Sequence, residues 1–127
     1  MAHHTGCSTI VTAVPGCRVE QTWSGSLAVL SVSGSIDMLT ARTLFGAIEA
    51  ALRDQPAGLI VDLTDVEFLA SAGLSVLVAA RDAAGAEVRF VVVAHGAVTV
   101  RPLQLTGLTE IIDVRPTLAE ALRADTD

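Results

Sequence analysis

Apolar and polar positions along this chain change period several times, and each change marks an element. From Leu27 to Gly34, Leu27, Val29, Ser31 and Ser33 alternate with Ala28, Leu30, Val32 and Gly34, the period of two that a β-strand requires. One face of that strand is strongly apolar and the other mixed. The run before it, Cys17 to Trp23, also has strand composition, and Ser24-Gly25-Ser26 between the two is a hairpin signal. After Gly34-Ser35-Ile36-Asp37 the period lengthens. Leu39, Leu44, Ile48, Ala51 and Leu52 recur at near-helical spacing, with Arg42, Glu49 and Arg53 off that stripe, so a helix is expected over 39–53. Asp37 or Thr40 is placed to cap it, and Gln55-Pro56-Ala57-Gly58 ends it.

The stretch from Gly58 to Ala80 organises what remains. Leu59-Ile60-Val61 is an apolar, β-branched strand that leaves through Asp62-Leu63-Thr64-Asp65, and Val66–Leu69 reads as a short crossing. Ala70-Ser71-Ala72-Gly73 then opens a second apolar run, whose Ala, Leu and Ser content predicts a buried helix ended by Arg81-Asp82. Ser71 therefore falls at or next to a helix N-terminus, where unsatisfied N–H groups and the helix dipole favour an oxygen acceptor or an anion. Downstream, Val88–Ala94 is nearly continuous Val and Phe, as expected of a strand covered on both faces. Ala97–Thr106 reads as a short helix interrupted by Pro102, with Gly107 as its C′ residue. An edge strand within Leu108–Val114, a closing helix over Pro116–Arg123 and a frayed tail over 124–127 complete the pattern. At the other end, Thr9–Val14 reads as an edge strand or an ordered tail, broken by Pro15-Gly16. A hairpin followed by alternating helices and strands predicts an α/β or α+β layer, with about four helices packed on a mixed sheet of four to five strands. Residues 1–16 form an N-terminal extension or edge strand, and 17–127 the domain.

Composition narrows the function. At 127 residues the chain is long enough for a core without disulfides or metals. With 51% apolar but only 3% aromatic residues, that core is built from Val, Leu, Ile and Ala. The net charge of −6 argues against nucleic acid and against an anionic membrane surface, and suits a basic protein partner. The longest charge-free apolar stretches fall short of the roughly 18–20 residues a membrane span needs. No basic and apolar leader opens the chain, so a cytoplasmic protein is expected. Cys7 and Cys17 match no zinc or CxxC spacing, and His3-His4 do not complete a metal site. Two free thiols are expected, with a redox-sensitive pair as the alternative.

The residues Gly34-Ser35-Ile36-Asp37, then Val61 through Leu74 with Ala70-Ser71-Ala72-Gly73 at its end, and the later Leu105-Thr106-Gly107-Leu108 resemble the STAS-domain family. Within that family the chain looks most like the stand-alone bacterial anti-sigma-factor antagonists, over roughly residues 17–123. The resemblance implies a non-enzymatic regulator, without cofactor or metal, acting as a monomer or weak dimer. It would bind an anti-sigma factor that is also a Ser/Thr kinase, freeing a sigma factor. Phosphorylation at Ser71 would break the complex and a Ser/Thr phosphatase would reset it. A phosphate adds roughly −1.5 to −2 charges at one hydroxyl. A helix N-terminus tolerates that charge, whereas a packed interface does not.

Asp37, Thr64, Ser71 and Gly73 are the expected partner-binding residues, with Asp37 matching the aspartate of the family's Gly-x-x-Asp segment. Gly73 is also expected to permit close packing at the helix start. Where the family commonly reads Asp-Ser-Ser/Thr-Gly, this chain has Ala70 and Ala72 around Ser71. Loss of the acidic neighbour would weaken or redirect kinase recognition, and loss of the second hydroxyl leaves Ser71 the one phosphoacceptor of the motif. Two other readings are open: a scaffold subunit of a larger signalling assembly, and a hydrolase in which Ser71, Asp82 and His95 form a triad. The second lacks the first glycine of a Gly-x-Ser-x-Gly elbow, since Leu69 stands in its place.

Overall fold

The computed structural model describes residues 10–126, with side chains described as far as Arg123. Cys7, His3-His4, Thr9 and Asp127 lie outside the described residues. The elements run β1 (Ile10–Val14), β2 (Cys17–Ser24), β3 (Leu27–Ile36), α1 (Ala41–Arg53), β4 (Gly58–Leu69), α2 (Ser71–Ala84), β5 (Arg89–Val93) and α3 (Ala97–Leu105). A 3₁₀ turn (Leu108–Glu110), β6 (Asp113–Arg115) and α4 (Leu118–Thr126) follow. The strands form one mixed sheet in sequential order, antiparallel from β1 to β3 and parallel from β3 to β6.

There are thus six strands among the described residues, where four to five were expected. The additional one is β1, which pairs with β2 from Ile10↔Gln21 to Val14↔Cys17 although all five of its residues are exposed. Backbone pairing, not burial, makes it a strand, and Pro15-Gly16 supplies the two-residue turn. The β2–β3 hairpin closes through Gly25-Ser26, with Ser24 opposite Leu27.

Helices connecting sequential parallel neighbours must all cross on one face if every crossover has the same hand. The core divides accordingly. Ala28, Leu30 and Val32 of β3, Leu59, Val61 and Leu63 of β4, and Phe90 and Val92 of β5 pack with Leu44 and Ile48 of α1, Leu77 and Ala80 of α2 and Leu103 of α3. On the other face Leu27, Val29, Ile60, Val91 and Val93 pack with Ala121, Leu118 and Leu122 of α4. The continuous apolar run of β5 follows from cover on both sides.

Several expected boundaries move. Helix α1 begins at Ala41, and Leu39 is 85% exposed instead of lying on the apolar stripe. Asp37 explains the shift. Its carboxylate holds the backbone N–H groups of Leu39 (2.9 Å) and Thr40 (3.0 Å) in a turn that ends where the helix starts. Strand β4 runs on through Asp62–Leu69 instead of leaving at Asp62. It is two residues longer than its partner segment in β3, and absorbs them in irregularities between Asp62 and Asp65 and between Val66 and Phe68. Helix α2 continues past Arg81-Asp82 to Ala84. Pro102 sits inside α3 without interrupting it. The carbonyl it cannot bond belongs to Val98, a residue exposed to water. The edge strand is only Asp113–Arg115, because Leu108–Glu110 is wound into a 3₁₀ turn. The backbone of α4 stays helical to Thr126, past the expected start of fraying.

The contrast between Leu44 and Leu39 is testable. Leu44 is fully buried, so Leu44→Ala should cost about 2–5 kcal/mol of stability in urea unfolding. Leu39→Ala should change stability by no more than about 0.5 kcal/mol, as expected of a surface position.

Candidate functional site

The parallel strands β3 and β4 end side by side, with Ile36 opposite Leu69, and their following loops are tied where the Ala70 N–H donates to the Ile36 carbonyl at 2.9 Å. That bond sets Asp37 and Ser71 on neighbouring loops at one edge of the sheet. Ser71 is the first residue of α2. The cap position belongs to Ala70, which has extended backbone and no side-chain cap, so the Ser71 hydroxyl is not used to start the helix. Its side chain is exposed.

Gly73 supports this arrangement by what it lacks. A Cβ there would stand 2.6 Å from Ile36 Cγ2 and 2.7 Å from Leu69 Cδ1, inside van der Waals contact with the last residues of both strands. The missing side chain lets the first turn of α2 settle directly on those strand ends, as the sequence suggested. Gly73 itself is buried.

Asp37 is the organiser of the neighbouring loop. Beyond the two backbone bonds, its Oδ1 accepts from Thr40 Oγ1 at 3.1 Å. Thr40 Oγ1 in turn accepts from the Asp37 N–H (2.9 Å) and shares its one proton between that carboxylate and the Ser35 carbonyl (2.8 Å). The Thr40 backbone bond, above all, holds the Asp37 carboxyl below its ordinary pKa, with the Thr40 hydroxyl and the Leu39 N–H adding to it against a desolvation cost. Asp37 therefore both shapes the loop and remains anionic. Cys17 lies close by as a free, buried thiol, and burial first, then the Asp37 charge, raises its pKa, which keeps it protonated.

Thr64 is placed elsewhere. Its N–H donates to Asp62 Oδ1 at 3.0 Å within the irregular part of β4. It lines a groove of about 440 Å³ with Asp62, Asp65, His95 and Pro116–Leu118, next to the start of α4, and neither Asp37 nor Ser71 borders that groove. The structure thus gathers Asp37, Ser71 and Gly73 and sets Thr64 apart. The hydrolase triad is not assembled either. Ser71 and Asp82 share helix α2 eleven residues apart, about 16 Å along the axis at the usual rise. Asp82 pairs instead with Arg81 at 3.7 Å.

Sequence reasoning missed three residues at this edge. Met38 is 79% exposed, Leu39 85% and Phe68 54%. Met38 and Leu39 follow Asp37 directly, and Phe68 lies opposite Ser35 two residues before Ala70. Large apolar side chains left in water beside two polar loops mark an interaction surface. Among them, Leu39 was hidden by its helical spacing and Phe68 by its place in what looked like a connecting segment.

A hairpin leading into sequential parallel strands, with polar loops and exposed apolar side chains at their ends, makes an α/β domain with an interaction surface at one sheet edge. The family model for the STAS domain matches residues 18–121, and the chain belongs to the STAS-domain family. It is 46% identical over 96 residues, covering 76% of this chain and 79% of the relative, to the anti-sigma-F factor antagonist RsfB of Mycobacterium tuberculosis. Among solved structures, an anti-sigma factor antagonist from Mycobacterium paratuberculosis superposes with a TM-score of 0.86 at 43% identity, covering 91% of this chain and 99% of that one. The antagonist SpoIIAA in its unphosphorylated form shares the fold, with a TM-score of 0.65 at 15% identity over 94% of this chain and 98% of its own. Among the described residues, no helix is long and apolar enough to cross a membrane.

Two measurements probe the site's construction. Because the folded-state pKa of Asp37 is lowered, the unfolded chain binds its proton more readily, and stability rises with pH across that interval. Asp37→Asn should therefore lower stability by its full amount at neutral pH. The difference from wild type should shrink as pH falls from the ordinary carboxylate range through the lowered pKa, read from urea midpoints at each pH. Gly73→Val should cost about 1–3 kcal/mol by overpacking the strand ends, measured the same way at neutral pH.

Proposed function

We propose that this chain is an anti-sigma-factor antagonist that binds an anti-sigma factor through the edge carrying Asp37 and Ser71, and so releases a sigma factor. The observation that carries the reading is the exposure of Met38, Leu39 and Phe68 around those two polar residues. An apolar centre with a charged rim has the make-up of a protein-binding patch. The names of the relatives at 46% and 43% identity supply the kind of partner. The anionic Asp37 gives the patch a negative edge, which suits a basic counterpart.

In this reading Ser71 is the switch, phosphorylated by an anti-sigma factor that is also a Ser/Thr kinase and restored by a phosphatase. Its exposed hydroxyl, unused as a cap, is available to an incoming phosphoryl group. Once added, the phosphate sits at the positive end of α2, where the open N–H groups of the first turn tolerate it, so the domain stays folded. In the complex the same charge must be desolvated against a packed partner, and binding is lost. Gly73 contributes by holding the first turn of α2 in place. Thr64 would enter only if the partner wraps over the sheet toward α4. The domain proper would extend over residues 17–127, with the protein acting in the cytoplasm.

Calorimetric titration against the anti-sigma factors of the source organism tests the proposal. Wild type and Ser71→Ala should bind, whereas Ser71→Asp should lose at least about a hundredfold in affinity, since an unmatched charge in an interface costs several kcal/mol. Leu39→Ala and Phe68→Ala should weaken binding without loss of stability. Unchanged binding by Ser71→Asp would refute the switch, and unchanged binding by both apolar variants would refute the surface.

A further inference from the structure

A well-formed cleft lies away from Asp37 and Ser71, outside the carboxyl ends of β5 and β6. Its volume is about 740 Å³, and it is bounded by the β5–α3 loop, α3 and the β6 segment. That size is ordinary for a small-molecule site, and the cleft opens beyond the carboxyl ends of two parallel strands.

The charge lining it is unusual for an acidic chain of net charge −6. His95, Arg101 and Arg115 all face the cleft, and the carboxylate that borders it is Asp113. Asp113 is engaged on both oxygens, by Arg89 Nη2 at 2.8 Å and Arg115 Nε at 2.8 Å, so its negative charge is already answered. Arg101 is exposed and forms no ion pair with an acidic side chain among the described residues. Fourteen acidic residues were available to neutralise it. Val100, Ile112 and Val114 supply apolar wall to the same cleft.

We propose that this cleft binds a small organic anion. Arg101 and His95 would hold its phosphate or carboxylate group, with Arg115 fixed in place by Asp113, and the apolar wall would cover its body. A guanidinium suits either oxyanion because its planar fork matches both geometries. The inference goes beyond the antagonist reading and does not depend on it.

The test is an NMR titration of the full chain with phenyl phosphate as the probe and inorganic phosphate as the comparison. Phenyl phosphate should produce saturable amide shifts confined to residues 94–101 and 109–116, and should bind more tightly than inorganic phosphate. Arg101→Ala should weaken it by about tenfold, the loss expected for one charge-assisted contact, while Arg42→Ala on the outer face of α1 should leave it unchanged. Arg101 is an exposed side chain, so the variant should fold, which the unperturbed part of its spectrum will show. Absence of saturable shifts, equal binding of the two probes, or equal affinity in Arg101→Ala would overturn the proposal.

Discussion

The pairing of β3 with β4 is the constraint on which the rest of this domain depends. It is the longest parallel pair, it is buried on both faces, and the strands on either side of it pair outward from it. Its last backbone contact, from Ala70 N–H to the Ile36 carbonyl, is also the first contact of the site. Anything that shifted the register of these two strands would separate Asp37 from Ser71. The irregularities in β4 matter for that reason. They bring twelve residues into step with ten, so that both strands reach the same edge together. Gly73 then fixes the helix that follows, because a side chain there would hold α2 off both strand ends.

Much of the fold was legible because it is written in period. The alternation in β3, the Val and Phe run of β5 and the helical stripe through Leu44, Ile48 and Ala51 all proved to be core. The STAS resemblance and the place of Ser71 at a helix start were legible for the same reason, as motifs lying between strong elements. The misreadings have a common cause. Each occurred where backbone hydrogen bonding overrode side-chain character. Asp62 and Asp65 look like a loop, yet the parallel ladder pairs both and carries the chain between them. Leu39 looks like core, yet the turn built on Asp37 and Thr40 starts α1 two residues later and leaves it in water. Ile10–Val14 has no buried residue at all and is a strand because β2 offers it partners.

The same override hid part of the site. Exposure of Met38, Leu39 and Phe68 cannot be deduced from hydropathy, which assigns such residues to the interior. Thr64 shows the opposite limit. Its closeness in sequence to Ser71 suggested closeness in space, but the irregular stretch of β4 turns it toward the α4 side of the sheet. Spacing along a chain predicts a shared face only while the ladder stays regular.

Parallel topology also explains why two different surfaces share one edge. Strands β3 to β6 run the same way, so the loops carrying Asp37, Ser71, His95 and Pro116 all leave from their carboxyl ends. The first turns of α1, α2 and α3 open at that edge, and none of the three contains an acidic residue. In a chain with fourteen acids, that leaves the starts of α2 and α3 without the usual neutralisation, whereas the Asp37 carboxylate sits just ahead of α1. Asp37 lies just past the end of β3, while Arg101 and Arg115 line the cleft beyond β5 and β6. A modification that adds negative charge at Ser71 would therefore fall beside Asp37, where the cost of desolvating it against a packed protein partner is the dominant effect. A small anion arriving from solution would be drawn to the basic half. One sheet edge can in this way hold a switch and a binding cleft, kept apart by the order of the strands.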